Sequence, residues 1–304
     1  MLRGETIVVT GATGQVGYPV AAALAKDNEV IAPARFSRRK VRDRLEAEGV
    51  RCVVADLGAG DLDGVPTDAT YVLNFAVAKT NVWDADIAAN AEGVGLLMAH
   101  CKDAKAFLHC STTGVYEDTG GGPYAETDPL GDNHRMSPYL QTYSISKIAA
   151  EATVRLSARL WDMPTTIARL SVPYGDNGGW PAIMLDLALG GIPVEVPPGG
   201  AARYTPIHED YIVAMVPKLL GIASTPATIV NWGGEDVVSI EEWTDYLTEL
   251  TGVTIPLQES PHAVPSVIAD LTKQHELVGR AEVAWRDGFR RMIATRHPEL
   301  LKAE

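Results

Sequence analysis

The sequence predicts an α/β protein that contains a doubly wound parallel sheet and a smaller C-terminal lobe. Three observations indicate this fold. Strand and helix patterns alternate through the first two-thirds of the 304 residues, a glycine-rich turn follows the first strand, and Pro and Gly become frequent after Ser171. Alternation of strands and helices is typical of a parallel sheet that helices cover on both faces. The length allows one large domain or two modest ones.

Short apolar, often β-branched runs predict the strands. They are Thr6–Thr10, Glu29–Ala34, Arg51–Ala55, Tyr71–Phe75, Ala106–Cys110, Thr165–Leu170 and, in the C-terminal third, Ala227–Trp232. Helical periodicity lies between them, from the glycine turn through Ala25, over Ile87–Cys101 and over Thr142–Leu160. A later helix, Ser239–Leu250, has Ser239 as its predicted N-cap and Glu242 as the capping-box partner. In an open parallel sheet we expect ligands beyond the carboxyl ends of the strands.

Composition excludes several classes of protein. The net charge of −13 argues against a general nucleic-acid binder, which needs cations to neutralise phosphates. No run approaches the ~18 apolar residues that would span a membrane, and the N-terminal segment does not read as a signal peptide. The three cysteines have no metal-like spacing, so we expect reduced thiols, no metal and a cytoplasmic protein.

The glycine turn reads TGATGQVG and places Gly11, Gly14 and Gly17 between the first strand and the first helix. Backbone that leaves a strand sharply and opens a helix can approach a pyrophosphate and present N–H groups to it. This context favours a Rossmann-like dinucleotide site, with Thr13, Gln15 and Val16 as further contacts. The alternative is a glycine turn that only connects a strand to a helix.

The end of the second strand bears on which dinucleotide binds. NAD-binding folds commonly place an acidic residue there for the ribose hydroxyls, whereas this chain has Ala34 followed by Arg35 and, further on, Arg38. Cationic side chains suit the 2′-phosphate of NADP, so we expect NADP in preference to NAD. The alternative for Arg38 is a solvated start of the next helix. Asp56, after the third strand, either contacts the adenine or caps the following turn.

The stretch TYSISK, residues 142–147, places Tyr143 and Lys147 on one helix face. The fifth strand delivers Ser111 and Thr112 to the same edge of the sheet. A cation a few ångströms from a phenol favours phenolate, which makes the group useful for acid–base catalysis. The alternative is an ordinary exposed Tyr–Lys pair.

These motifs together resemble the extended short-chain dehydrogenase/reductases, also called the NAD-dependent epimerase/dehydratase family. The resemblance covers roughly residues 6–235 and preserves the order of the family's motifs. The matching segments are TGATGQVG (10–17), NFA (74–76), the helix with Asn90, STTGVY (111–116), YAETDPLG (124–131), YSISKIAAE (143–151), RLSVPYG (169–175) and IHED (207–210).

The resemblance implies roles for individual residues. Tyr143 would be the general acid/base, Lys147 would hold the nicotinamide ribose and favour the phenolate, and Thr112 would polarise the substrate oxygen, with Ser111 and Thr113 as flanking alternatives. Asn90 would be structural or would order a water beside Lys147. Further expected cofactor contacts are Leu57, Phe75, Ala76 and Pro173. Expected substrate contacts are Thr113, Tyr174, Trp180 and Arg203.

The resemblance also implies an organisation. Residues 1–170, with about 204–235, would form the NAD(P)-binding Rossmann domain. Residues 171–203 and 236–304 would form the smaller substrate-binding lobe. The helices at 87–101 and 142–160 would build a homodimer interface.

Departures from the family pattern narrow the reaction. Thr113 and Gly114 stand where dehydratases carry Asp-Glu, which argues against sugar dehydration. Val172 replaces an Asn of nucleotide-sugar enzymes, and Arg203 is one residue out of register with their diphosphate-binding Arg. We therefore expect an NAD(P)-dependent oxidoreductase for a small carbonyl or alcohol. The alternative is a nucleotide-sugar 4-epimerase with recycled NAD. A third hypothesis, an NADP-sensing protein without catalysis, conflicts with the Tyr–Lys pair.

Overall fold

The structure is a computed structural model that describes residues 2–200 and 202–302. The strands are β1 (Thr6–Thr10), β2 (Glu29–Ala34), β3 (Arg51–Val54), β4 (Tyr71–Asn74), β5 (Ala106–Thr112), β6 (Thr165–Leu170), β7 (Pro173–Gly175), β8 (Gly178–Gly179), β9 (Val194–Val196), β10 (Arg203–Tyr204), β11 (Ile207–His208), β12 (Thr228–Trp232), β13 (Val238–Ser239) and β14 (Leu257–Glu259).

The α-helices are α1 (Gly17–Ala25), α2 (Arg39–Ala47), α3 (Trp83–Ile87), α4 (Gly93–His100), α5 (Tyr143–Leu160), α6 (Trp180–Leu189), α7 (Glu209–Gly221), α8 (Ile240–Thr251), α9 (Thr272–Leu277) and α10 (Trp285–Arg296). A π-helical segment, Ala88–Glu92, joins α3 to α4, and a single 3₁₀ turn, Thr113–Val115, follows β5.

The central sheet has seven strands in the order β12-β6-β5-β4-β1-β2-β3. The pairs β1–β2, β1–β4, β2–β3 and β4–β5 are parallel. The order starts from β1 and runs outward on both sides, as a doubly wound sheet does. The predicted α/β fold class with a Rossmann-like sheet is therefore confirmed, and each predicted strand is present.

Two predicted elements differ from the observed bounds by more than one residue. β5 continues to Thr112 rather than ending at Cys110. The helix predicted from Ile87 begins at Trp83 and passes through the π-helical segment before α4. The apolar spacing of Val94 and Leu97 predicted only the second half of this helix, which packs in the core. The earlier half is held by polar contacts, which have no periodic signature.

The chain divides into two compact units. The first comprises Met1–Thr112, Thr142–Arg169 and Ile212–Val230. Its core contains β-branched and apolar side chains of β1, β2 and β4, of which Val8, Ile31 and Val72 are fully buried. These residues pack against α4 and α5, so the apolar strands and the periodic helices account for this core.

The second unit comprises Thr113–Gln141, Leu170–Tyr211 and Asn231–Glu304. It contains three small sheets, β11-β7-β8, β10-β13 and β14-β9, around an aromatic core that includes Trp243 and Phe289. The capping box of α8 is present, because the Glu242 N–H donates to the Ser239 hydroxyl and the Ser239 N–H donates to the Glu242 carboxylate. Within residues 2–200 and 202–302, no helix is both long and apolar enough to cross a bilayer.

Candidate active site

The glycine loop lies at the carboxyl end of β1 and leads into α1. Gly11 has φ +69°, and a β-carbon at this position would overlap the backbone of Phe75 and Ala76. A β-carbon at Gly17 would overlap the carbonyl group of Gly11. Both positions therefore require glycine for the packing of the loop itself, and the loop rests against the chain that follows β4.

Gly14 differs from the other two glycines. It is exposed together with Thr13, and a β-carbon there would meet only the Gly11 carbonyl oxygen, at 3.3 Å. The Gly14 N–H donates to the same oxygen, at 2.9 Å, and closes a turn ahead of the α1 N-terminus. An exposed, side-chain-free backbone beside a helix N-terminus fits a pyrophosphate. Gln15 and Val16, which complete this turn, are half-buried.

The end of β2 carries the predicted cationic residues. Arg35 and Arg38 are exposed, and Arg35 lines a hollow of about 400 Å³ with Phe36. Arg39 and Arg42, which also line this hollow, face carboxylates of their own helix at 3.8 Å and 2.7 Å. Arg35 and Arg38 have no such carboxylate partner in the described part of the chain, so they are the candidates to meet a 2′-phosphate.

Asp56, which follows β3, was predicted either to contact the adenine or to cap the next turn. Its carboxylate accepts a hydrogen bond from the Gly58 N–H at 3.0 Å, so Asp56 caps the following turn. A contact between Asp56 and the adenine stays a prediction. Leu57 lies in the same turn, and its carbonyl comes so close to Gly93 that a β-carbon on that glycine would be 2.7 Å away.

Lys147 is almost completely buried, with 4% of its surface exposed. Its Nζ donates to the carbonyl oxygen of Cys110 at 2.6 Å, so the ammonium group lies at the carboxyl end of β5. Burial of the His109 ring, followed by the nearby charge of Lys147, holds the pKa of His109 well below the ordinary range. Tyr143, one helical turn earlier, is half-buried. The structure thus brings the predicted Tyr–Lys pair and the end of β5 into one unit.

The two hydroxyls of β5 have different surroundings. Ser111 donates to the Glu151 carboxylate of α5 at 2.5 Å. The same carboxylate accepts from Nε and Nη2 of Arg169, at 3.0 Å and 2.9 Å, and both charged side chains are at most 2% exposed. Ser111 therefore belongs to this ion-pair network, and contact of Thr112 with a substrate stays a prediction.

The remaining predicted residues lie in the second unit. Thr113 is buried in the 3₁₀ turn, Pro173 begins β7 and is half-buried, and Arg203 of β10 is exposed. Trp180 is half-buried against the ring edges of Tyr204 and Trp243.

Tyr174 is fully buried against Phe289 and His208, and burial raises the pKa of its hydroxyl. A contact between Tyr174 and a substrate stays a prediction.

Asn90 is fully engaged in structural contacts. Its amide oxygen accepts from the Ala78 N–H at 2.7 Å, and its amide nitrogen donates to the Ala78 carbonyl and to the Ser146 hydroxyl. These bonds support the structural interpretation of Asn90 that the sequence left open.

Sequence reasoning missed Lys79. Its ammonium nitrogen lies 4.5 Å from the centroid of the Tyr143 ring, a cation–π distance. Lys79 belongs to an irregular loop after β4, and its only sequence signal was its position four residues beyond Phe75.

Comparisons with known proteins agree with this geometry. A sequence model of the NAD dependent epimerase/dehydratase family matches residues 7–220. A dTDP-4-dehydrorhamnose reductase from Burkholderia thailandensis is 31% identical over 161 residues, which are 51% of this chain and 47% of that protein. The chain thus spans about half the length of this relative. A putative UDP-glucose 4-epimerase from Methanocaldococcus jannaschii is 23% identical and aligns over 94% of this chain and 97% of that protein.

Solved structures show the same fold. The UDP-glucuronic acid 4-epimerase from Bacillus cereus, in complex with UDP-glucuronic acid and NAD, superposes with a TM-score of 0.80 at 20% identity and covers 95% of this chain and 98% of that chain. The family model matches well over half of the chain, and the resemblance noted from the motifs is confirmed. The chain belongs to the NAD dependent epimerase/dehydratase family.

Proposed function

We propose that the protein is an NAD(P)-dependent oxidoreductase that uses Tyr143 as its general acid/base on a small carbonyl or alcohol. The observation that carries the proposal is the buried Lys147, which lies one turn from Tyr143 and whose ammonium group donates to the carbonyl of Cys110, the residue before Ser111 and Thr112. A buried ammonium one helical turn from a phenol supports a role in proton transfer.

In this mechanism each residue has a separate task. Thr112 donates a hydrogen bond to the substrate oxygen and orients it. Tyr143 gives a proton to that oxygen during reduction, or removes it during oxidation. Lys147 holds the ribose and stabilises the phenolate that forms when Tyr143 has lost its proton. A nicotinamide dinucleotide bound along the glycine loop would supply or accept the hydride. We assign the cofactor to the first unit and the small-molecule substrate to the second.

The acid/base assignment is tested by Tyr143→Phe. This variant removes the titrating hydroxyl and keeps the ring, so turnover should fall by about a hundredfold or more, whereas cofactor affinity stays within about twofold. Tyr139→Phe is the matched control, because Tyr139 is 76% exposed. Full turnover by Tyr143→Phe would show that the proton moves through another group.

We propose NADP in preference to NAD as the cofactor. Arg35 and Arg38 support NADP, since neither forms an ion pair with the carboxylates that Arg39 and Arg42 contact. Two solved relatives, the Bacillus cereus epimerase among them, are complexes with NAD, which makes NAD the alternative. Arg35→Ala should weaken NADP binding about tenfold and leave NAD binding nearly unchanged, because only NADP carries the 2′-phosphate. Equal weakening of both cofactors would remove the preference.

A nucleotide-sugar 4-epimerase is the second candidate. The full-length alignment with a putative UDP-glucose 4-epimerase favours it. Val172 and the shifted Arg203 disfavour it, because they remove two polar contacts to a diphosphate. Purified protein should be incubated with NADP or NAD and a panel of alcohols, aldehydes and UDP-sugars. Net change in nicotinamide absorbance identifies the oxidoreductase, whereas conversion of a UDP-sugar without net change identifies the epimerase.

We further propose a cytoplasmic homodimer. The three cysteines form no disulfide, and Cys101 and Cys110 are buried, as expected for a reducing compartment. Leu156 and Leu160 of α5 are 57% and 62% exposed. A second copy of the chain would cover them, since the resemblance places the subunit contact on this helix. Leu156→Glu with Leu160→Glu should give a monomer by light scattering, and Val54→Glu, elsewhere on the surface, should not.

A further inference from the structure

The loop of residues 76–82, which follows β4, is fixed by the carboxylate of Asp86. This side chain is fully buried. It accepts hydrogen bonds from the Thr80 N–H, the Thr80 hydroxyl and the Asn81 N–H, at 2.8 to 3.0 Å. A buried carboxylate that receives several donors orders the segment that supplies them. Asp86 therefore holds the loop in one conformation.

The same carboxylate also holds the start of α5. The Thr142 hydroxyl donates to Asp86 at 2.5 Å, and Thr142 directly precedes Tyr143. Asn90, one turn further along in the π-helical segment, repeats this arrangement. It binds the backbone of Ala78 in the loop and the hydroxyl of Ser146 in α5. Asp86 and Asn90 thus tie the loop and the first turn of α5 to one helix, and we call these two residues the clamp.

The clamp determines where Lys79 lies. Ala78 and Thr80, its neighbours on either side, are both bound by the clamp, so the backbone of Lys79 has little freedom. Its ammonium nitrogen lies 4.5 Å from the centroid of the Tyr143 ring. In the described part of the chain, 2–200 and 202–302, no carboxylate lies within ion-pairing distance of this ammonium group. Its charge is therefore available to the tyrosine.

We propose that Lys79 is a second cation of the tyrosine site, and that Asp86 and Asn90 are the positioning residues that hold it over Tyr143. This inference rests on the proposed role of Tyr143 as acid/base. A cation over a phenol ring interacts more strongly when the ring carries the negative charge of the phenolate. The Lys147 ammonium group would stabilise the Tyr143 phenolate from within α5, and the Lys79 ammonium group would stabilise it from the face of the ring. Lys79 is exposed, so a small molecule that binds over it would remove water from its ammonium group. The attraction between this group and the Tyr143 ring would then become stronger.

The experiment measures phenolate at Tyr143 without substrate or cofactor. Tetranitromethane nitrates tyrosine through its phenolate, and peptide mass spectrometry gives the nitration rate of each tyrosine at pH 8. Lys79→Met should slow nitration of Tyr143 roughly fivefold, and Lys79→Arg should keep the rate within about twofold of the wild type. Lys26→Met, an exposed lysine at the end of α1, is the matched control. Tyr139 supplies an internal reference in every sample.

Two further variants test the clamp. Asp86→Asn weakens every bond of the carboxylate, and Thr142→Val removes only the link to α5, so the second variant stays informative if the first does not fold. In either background, adding Lys79→Met should slow nitration less than twofold, because Asp86→Asn loosens the loop that carries Lys79 and Thr142→Val releases the start of α5, which carries Tyr143, from Asp86. If Lys79→Met still slows nitration of Tyr143 fivefold in both backgrounds, the clamp does not position Lys79. If the single variant Lys79→Met nitrates Tyr143 at the wild-type rate, Lys79 is not a second cation of the tyrosine site. Turnover of Tyr143→Phe is measured separately from nitration. Full turnover by that variant would contradict the proposed function, whereas an unchanged nitration rate in Lys79→Met would contradict only the role of Lys79.

Discussion

Glu151→Gln should destabilise the protein strongly, because it breaks a buried ion pair on one side only. In the wild type the Glu151 carboxylate accepts two hydrogen bonds from the Arg169 guanidinium and one from Ser111. Glutamine has the same size, but its amide carries no charge and presents two N–H donors that must compete with these three donors. The Arg169 charge, with 2% of its side chain exposed, would remain in the interior and lose the Glu151 carboxylate as its partner.

The expected loss follows from this burial. Removing one partner of a buried ion pair costs about 3–5 kcal/mol, since the remaining charge loses that partner and gains no solvent in exchange. Neither partner has appreciable solvent exposure, so little of this cost is relieved by water. A double variant, Glu151→Leu with Arg169→Met, removes both charges. It should recover most of the loss, because no charge then remains buried.

The assay is the free energy of unfolding from urea titration at pH 7, followed by circular dichroism. Asp103→Asn is the matched control, as it breaks an exposed pair with Lys102 and should change the free energy by less than about 1 kcal/mol. A loss below about 1 kcal/mol for Glu151→Gln would refute the reasoning. So would a double variant that is less stable than the single one.

Three further predictions concern the loop, the clamp and the thiols. Gly11→Ala should cost roughly 2–4 kcal/mol in urea titration, because its β-carbon overlaps neighbouring backbone at φ +69°, whereas Gly14→Ala should change stability little and mainly weaken dinucleotide binding. Hydrogen bonds from Thr142, Thr80 and Asn81 outweigh burial and lower the pKa of Asp86. Its contribution to stability is therefore present above its ordinary pKa and lost as pH falls through the lowered one, so Asp86→Asn should flatten the fall of melting temperature below about pH 4. Burial raises the pKa of Cys110 to about 11, and iodoacetamide at pH 8 should leave this thiol unmodified in the native protein, as mass spectrometry can show.

The sequence predicted the parts of the fold that depend on local patterns. The runs Thr6–Thr10 and Thr165–Leu170, which both contain several β-branched residues, became strands with the predicted bounds, because β-branched side chains fit a pleated and buried sheet. The glycine loop was also predictable from a local pattern. Only glycine readily adopts the positive φ of Gly11 and fits its close packing against neighbouring backbone. The Tyr–Lys pair follows from helical spacing alone.

The rest of the candidate site depends on pairs that are distant in the sequence. Asp86 and Thr142 are separated by 56 positions, and Ser111 and Glu151 by 40. No periodicity links such residues, and neither partner is unusual on its own. Lys79 escaped prediction because it lies in an irregular loop whose conformation is set by side chains elsewhere. The burial of Tyr174 escaped it for a similar reason, as its core is assembled from three separate stretches of chain.

The π-helical segment Ala88–Glu92 rotates the two halves of one continuous helix relative to each other about the helix axis. Each residue of an α-helix advances by about 100°, and a π turn accommodates one extra residue. The half after the segment directs Val94 and Leu97 into the core, while the half before it directs Asp86 toward Thr142. Removal of a single residue from the segment would restore a uniform α-helix and rotate Asp86 by about 100° relative to the core residues. The core of the first unit would still assemble, but the loop that carries Lys79 would lose its attachment to the tyrosine helix.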